Sequence, residues 1–373
     1  MLDLSRQYKP LQEELLKALG RVLESQQFIL GGEVRAFEQA AETHLGAAHA
    51  LGCSSGTDAL WLALAAAGIG AGAGVVTTPF SFFASVSSIL RAGMRPVLAD
   101  IEPGSFLLSK SAVEAVLDGS AGAAVRAILP VHLFGQCCAA GYARERGLTV
   151  VEDAAQAWGA EWQGVKAGAL GDAAAFSFYP TKNLSAAGDA GLVTTMSDTV
   201  AERVRVLRQH GMLRRYFHDE LGWNARMDGF QAAVLRVKLC YIDGWNEARR
   251  AVAARYGELF AKAGLAEQGP YPARGVVLPS EMPGGRHVWH QYAIRARRRD
   301  ELREFLTARQ IGSEIYYPVP LHLQKALAEL GYKEGDFPEA ERAAREVLAL
   351  PIFPELREDE QQTAVEAIAA FLS

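Results

Sequence analysis

The sequence predicts an α/β protein: a mostly parallel sheet covered by helices on both faces, followed by a smaller α+β region. Three observations predict it. Between about Gly52 and Thr195, short apolar runs alternate with helical patterns. Those runs are almost continuously apolar, as strands covered on both sides must be. After about Met196 the character changes to long, charged amphipathic segments.

Taken in order, "MLDLSRQYKPLQEELLKAL" is charged and helical in period, without the apolar core of a signal peptide. "GCSSGTDALWLAL" puts hydroxyl and small residues before an apolar helical run, a helix start. "GIGAGAG" follows that helix as a glycine-capped turn; it formally fits a dinucleotide pattern but neither follows a strand nor opens a helix. "GVVTTP", "RPVLADI", "VRAILPVHLFG", "LTVVEDAA", "AAAFSF" and "GLVTT" read as strands, with "SAVEAVL" and "AAGYARERG" as helical segments between them. The uncharged stretch Ala59 to Leu90 is broken by glycines and Pro79, so it reads as two buried helices around a short strand, not a membrane span. "SDTVAERVRVLRQHG" is a helix, and "MDGFQAAVLRVKLCYIDGWNEARRAVAARYGELFAKAG" reads as one long helix able to act as a spine between two domains. Beyond it, "HQYAIRA" and "SEIYYPV" read as strands, and "ELREFLTARQ" and "PEAERAAREVLAL" as helices. The division expected is a large domain over 1–244 and a small one over 245–373.

At 373 residues the chain exceeds one compact core. A formal charge of −5 with scattered basic residues gives no support for a nucleic-acid or acidic-membrane partner. The run Arg295, Arg297, Arg298, Arg299 reads as a solvated turn or helix entry. Four cysteines, Cys53, Cys137, Cys138 and Cys240, show neither a disulfide framework nor metal-ligand spacing, which fits a reducing cytoplasm and no metal site.

Three features stand at strand ends. Ser55, Gly56 and Thr57 open a helix, where free backbone amides can hold a phosphate; the same residues also make an ordinary N-cap. Asp153 closes the run "LTVVED", at the edge where open α/β sheets bind ligands, although it could equally cap the next helix. Lys182 follows the run Ala173 to Phe178. An amine, an acid and a phosphate cradle at strand ends match the needs of pyridoxal phosphate: its aldehyde, its pyridine nitrogen and its phosphate.

These residues resemble the DegT/DnrJ/EryC/StrS sugar aminotransferases, pyridoxal-phosphate enzymes of the aspartate aminotransferase fold (fold type I). The likeness runs through "FILGGEVRAFEQAAETHLG", "SSGTDAL", "TTPFSFFAS", "PVHLFGQ", "VEDAAQAWGA", "GDAAAFSFYPTKNLSAAGDAGLV", "GWNARMDGFQAAVLRVKL" and "YYPVPLH". The resemblance implies that Lys182 binds the cofactor covalently and then moves the proton, with Asp153 on the pyridine nitrogen. It likewise implies Gln156 at the ring hydroxyl, Phe82 stacked on the ring, and Gly56, Thr57 and Ser177 at the phosphate. Asn224 is implied as a phosphate ligand donated by the second subunit of a homodimer. Tyr316, Tyr317 and His322 resemble positions near the sugar pocket, with Trp158, Arg226 and His290 as weaker candidates. "GDAG" stands where many members read "GDGG", and "NLSAAG" replaces a more glycine-rich loop; both bear on the flexibility of the lysine loop, not on its chemistry. Relatives that eliminate water carry histidine at the lysine position, so Lys182 favours transamination. The expected activity is transfer of an amino group from L-glutamate to a nucleotide-linked 3-keto sugar in the cytoplasm. The alternatives are a 4-keto acceptor, a pyridoxal enzyme of another reaction type, or a non-catalytic regulatory homologue that binds cofactor or sugar.

Overall fold

The computed structural model describes residues 2–373. Its central sheet has seven strands: β1 (His49–Cys53), β2 (Gly74–Thr77), β3 (Arg95–Leu98), β4 (Val125–Ile128), β5 (Thr149–Asp153), β6 (Ala173–Ser177) and β7 (Gly191–Thr195). Their order across the sheet is β1-β7-β6-β5-β4-β2-β3. β7 runs antiparallel to both its neighbours while the remaining pairs are parallel, so six strands point one way. Register then decides what meets at the carboxyl edge. Cys53 lies opposite Gly191, and Gly191 opposite Ser177, while Asp153 lies opposite Ala175.

Helices cover both faces, as nearly all-apolar strands require. α1 (Leu4–Ser25) and α2 (Gly32–Leu45) precede the sheet; α3 (Gly56–Ala66) and α4 (Ala84–Arg91) flank β2; α5 (Lys110–Asp118) follows β3; α6 (Asp198–Leu207) follows β7. The stretch between Tyr142 and Glu145 makes a single helical turn. Gly68, Gly70 and Gly72 all have positive φ in the turn after α3, a conformation glycine adopts without Cβ strain. Among the described residues no helix is long and apolar enough to cross a membrane.

The second half departs from the sequence expectation in four places. The expected spine is two helices, α7 (Gly229–Leu239) and α8 (Ile242–Lys262). At the break, the amides of Cys240 and Tyr241 bond three residues back, to Val237 and Lys238, while the Tyr241 ring stacks on Trp245 and its hydroxyl donates to Glu14. α7 packs on α1 and α2, whereas Val252, Tyr256 and Phe260 of α8 join the core of the C-terminal region, so one straight axis could not serve both. "SEIYYPV" is not a strand; only Glu314 makes a bridge, to Ala349. Pro318 and Pro320 carry no N–H for a ladder, and the Leu321 amide is drawn to the Pro79 carbonyl at 2.7 Å.

The end of "PEAERAAREVLAL" is a strand. α10 stops at Glu346 (Pro338–Glu346), and β9 (Val347–Leu350) pairs antiparallel with β8 (Tyr292–Arg295). Its four side chains are all buried, which a one-sided helix could not achieve. α9 (Arg299–Ala308) and α11 (Glu358–Leu372) pack around this pair. Finally, the arginine run is not uniformly solvated. Arg295 is buried between Glu346, the Pro103 carbonyl and the rings of Phe106 and Tyr271, and Arg299 is buried against the Val347 carbonyl, while Arg297 and Arg298 are exposed. In both buried cases the long aliphatic stem is covered and the charge finds fixed acceptors.

Candidate active site

Each of the three strand-end features meets the same cleft. It has a volume of about 720 Å³ and opens beyond the carboxyl ends of β1, β5 and β6. Of the residues singled out in the sequence, Gly56, Thr57, Phe82, Asp153, Gln156, Ser177, Lys182, Tyr316, Tyr317 and His290 line it.

Asp153 ends β5 and is buried, but not alone. One carboxylate oxygen accepts from Ser85 Oγ at 2.7 Å, the other from the Ala155 amide at 3.2 Å, and Ser81 lies 2.9 Å behind Ser85. Burial nonetheless raises its pKa, because the hydrogen bonds and the distant charges of Lys182 and His132 do not offset the lost hydration. The preceding carboxylate, Glu152, points to the other face of the sheet, as alternation along a strand demands. It accepts from His132 Nε2 at 2.8 Å and from the amides of Gly168 and Gly171 at 2.8 and 2.6 Å.

Lys182 stands five residues past β6 on a well-fastened loop. Phe178 and Ala190 are joined at 2.9 Å, Ala186 returns to Phe178 at 2.8 Å, the Lys182 amide donates to Tyr179 at 2.8 Å, and the Ala187 amide donates to Gln231. The side chains added by "NLSAAG" and "GDAG" include Ala186 and Ala190, both fully packed away. Burial pushes the Lys182 amine down to about 8, against an opposing pull from Asp153. An amine so placed is partly free base near neutral pH.

The start of α3 forms the third wall. Ser55 caps the helix by accepting from the Asp58 amide at 3.1 Å, and the amides of Gly56 and Thr57 have no protein partner. Two glycines let the strand ends close up here. A Cβ on Gly56 would sit 2.5 Å from that of Ser177, and one on Gly191 would sit 2.2 Å from the Ser55 carbonyl oxygen. The first-turn carboxylate that would repel an anion, Asp58, is turned toward Ser54, Ser55 and Arg91.

Gln156 accepts from the Phe134 amide at 2.6 Å and donates to Tyr317 Oη at 3.2 Å, which settles which end of the amide is oxygen. Tyr317 therefore lies on the floor of the cleft beside Gln156, and its ring centroid is 6.3 Å from that of Phe82. Phe82 is 58% exposed, an aromatic face with nothing stacked on it.

The structure does not bring four of the sequence candidates, His322, Trp158, Asn224 and Arg226, into this cleft. His322 is buried, with Nε2 3.1 Å from Glu341 and its ring edge on Phe337. Trp158 packs among His44, Phe176 and Phe178. Asn224 is exposed and accepts from Arg226 Nε at 2.9 Å, outside the cleft of its own chain. Sequence reasoning missed Ser81, which lines the cleft, and Ser85 and Asn183, which meet Asp153 and His290 through contacts spanning 68 and 107 residues, for which no local spacing is a signal.

Comparison with known proteins finds relatives along nearly the whole chain. The sequence model of the DegT/DnrJ/EryC1/StrS aminotransferase family matches residues 9–369. A "Pleiotropic regulatory protein" of Geobacillus stearothermophilus is 48% identical over 375 residues, covering 100% of this chain and 98% of that protein. A UDP-N-acetyl-3-dehydro-alpha-D-glucosamine 3-aminotransferase of Acidithiobacillus ferrooxidans is 40% identical over 364 residues, covering 96% of this chain and 94% of that protein. Among solved structures, S. venezuelae DesV in complex with a ketimine intermediate superposes with a TM-score of 0.92 at 40% identity, covering 100% of this chain and 97% of that one.

Proposed function

This chain belongs to the DegT/DnrJ/EryC1/StrS aminotransferase family, and we propose that it moves an amino group from L-glutamate to a nucleotide-linked 3-keto sugar. Its fold is that of the type I pyridoxal-phosphate aminotransferases. The observation that carries the reading is one cleft holding an amine of lowered basicity, a buried acid lacking a cation in contact, and two unpartnered helix-start amides.

Those residues fit pyridoxal 5'-phosphate. Asp153 would hold the protonated pyridine nitrogen, supplying the partner that its own burial lacks. The amides of Gly56 and Thr57, with Ser177 and the Thr57 hydroxyl, would hold the phosphate; Phe82 would cover the ring; Gln156 Nε2 would meet the ring hydroxyl. Lys182 would bond to the cofactor's aldehyde carbon. When bound, the cofactor supplies an electron-poor ring that accepts the electron pair left by proton removal. Lys182 Nζ would take the proton from the carbon bearing the donor amine and hold it within the cleft. The Asn224 segment, exposed on its own chain, would serve the cleft of a second copy, which makes the working unit a homodimer. Tyr316 and Tyr317 would stand near the sugar, and the division at residues 244/245 would separate the cofactor-binding part from the C-terminal part.

The 3-keto assignment is supported by the activity for which the 40% identical Acidithiobacillus relative is named; the 4-keto acceptor is the alternative. A regulatory reading is favoured by the name of the Geobacillus protein. Adding L-glutamate to the yellow holoprotein separates these readings. Loss of the visible band with one 2-oxoglutarate released per site supports transamination, and an unchanged band supports the regulatory reading. Incubating the aminated form with 3-keto and 4-keto nucleotide sugars then identifies the acceptor by return of the yellow colour.

A further inference from the structure

Ser85 lies on the first turn of α4 and is completely buried, yet its hydroxyl does not follow the habit of a helical serine. Such a serine turns its hydroxyl back to a carbonyl of its own helix or out to water. Here Oγ donates to Asp153 Oδ2 at 2.7 Å, across the gap between α4 and the end of β5. An ionised carboxylate only accepts, so the Ser85 hydrogen goes to Asp153. The 2.9 Å contact with Ser81 must then run from Ser81 Oγ to Ser85 Oγ. Two hydroxyls therefore form a chain with one direction, Ser81 to Ser85 to Asp153, and its outer member lines the cleft.

The Ala155 amide holds the other carboxylate oxygen at 3.2 Å, so the group cannot rotate without breaking a bond. Burial raises the pKa of Asp153, and among the influences that oppose the rise the Ser85 hydrogen bond is the largest, ahead of the Ala155 amide and the charges of Lys182 and His132. α4 is tied to the next wall of the cleft as well. Ser88 donates to the Thr57 carbonyl at 3.3 Å, and Phe82 lies just ahead of the helix. One short helix thus fixes the acid, the start of α3 and the aromatic face relative to one another.

We propose that Ser85 is a positioning residue for Asp153: its hydroxyl, held in turn by Ser81, fixes the carboxylate so that its unused lone pairs meet the pyridine nitrogen of the bound cofactor. The inference rests on Asp153 as the partner of that nitrogen.

The test reads binding, without turnover. Equilibrium dialysis of the cofactor-free full chain compares pyridoxal phosphate with an analogue in which carbon replaces the pyridine nitrogen, so the contributions of the aldehyde and the phosphate cancel. Ser85→Ala weakens pyridoxal phosphate alone and cuts the preference for the nitrogen about ten-fold, as for loss of a hydrogen bond to a charged group. Ser81→Ala, one bond further back, cuts it about two-fold, and Ser85→Thr, which keeps the hydroxyl, retains it. An unchanged preference in folded Ser85→Ala overturns the proposal, and so does an equal loss for both ligands, which would mean a merely structural role. A raised preference also overturns it, because the hydroxyl would then compete with the ring. Should Ser85→Ala fail to fold, Ser81→Ala decides alone. Asp153→Asn separates the two claims. A preference that survives it refutes the role of Asp153 and this proposal together, whereas a preference lost there but intact in Ser85→Ala refutes the proposal alone.

Discussion

Glu152 and Asp153 are neighbours on one strand, yet they face two different regions of the molecule. Behind the sheet, Glu152 is fully answered by His132 and two backbone amides of a tight turn, and nothing is left for a ligand. In front, Asp153 has a hydroxyl and one amide, an elevated pKa, and an open cleft. The difference teaches how a buried charge reveals its purpose: a saturated carboxylate fastens structure, and an under-satisfied one facing a cavity expects a cation. The two lysines on either side of the 183–187 loop divide in the same way. Lys238 is buried against Tyr8 and Ser185, whereas Lys182 opens to the cleft without a partner.

The comparison can be broken by substitution. The largest effect is expected from Lys182→Ala: turnover falls by about 10⁴-fold, as for a positioned proton-transfer group, while equilibrium dialysis still detects bound cofactor. Next, Asp153→Asn keeps the side chain's shape but removes its charge; kcat/KM falls by about 10²-fold or more with the fold intact by circular dichroism. Glu152→Gln behaves oppositely. Denaturant unfolding loses about 2 to 3 kcal/mol for a buried charge-assisted network, and whatever protein remains folded binds cofactor normally. Reversal of the last two results would mean that the roles of the two faces were exchanged.

A pH experiment sharpens the lysine comparison. The folded Lys182 amine titrates near 8 against 10.5 for an ordinary lysine, so burial of its charge costs the cofactor-free protein stability below pH 8. From about pH 8 to 10.5 the unfolded chain still binds the proton that the folded one has lost, and the penalty is progressively relieved. Lys182→Met should therefore stabilise the cofactor-free chain by about 1 kcal/mol at pH 7, after allowance for screening by cleft water, and the gain should vanish as pH passes 10. Tyr317→Phe, removing one hydrogen bond to Gln156, should produce the smallest change, roughly five-fold in kcat/KM.

Much of this molecule was legible because its parallel sheet is covered on both sides. β2 to β7 announce themselves as unbroken apolar runs, and Asp153 and Lys182 sit just past two of them. β1, "HALGC", escaped because it has no β-branched residue and reads as a prelude to α3. The strand "VLAL" escaped because it directly continues a helical pattern, and only pairing with β8 some fifty residues earlier turns it. Arg295 and Arg299 looked solvated because burial of an arginine depends on carbonyls and carboxylates remote in sequence. The support for Asp153 and Lys182 was hidden for the same reason: Ser85 is 68 residues from its carboxylate, and His290 is 107 residues from Asn183.

The most direct measurement reduces the yellow holoprotein with borohydride, digests it, and locates the pyridoxyl group by mass spectrometry. The account predicts a single modified residue, Lys182. Attachment at Lys238, a buried lysine whose amine is also pushed down, to about 7, or the absence of any yellow holoprotein to reduce, would contradict it.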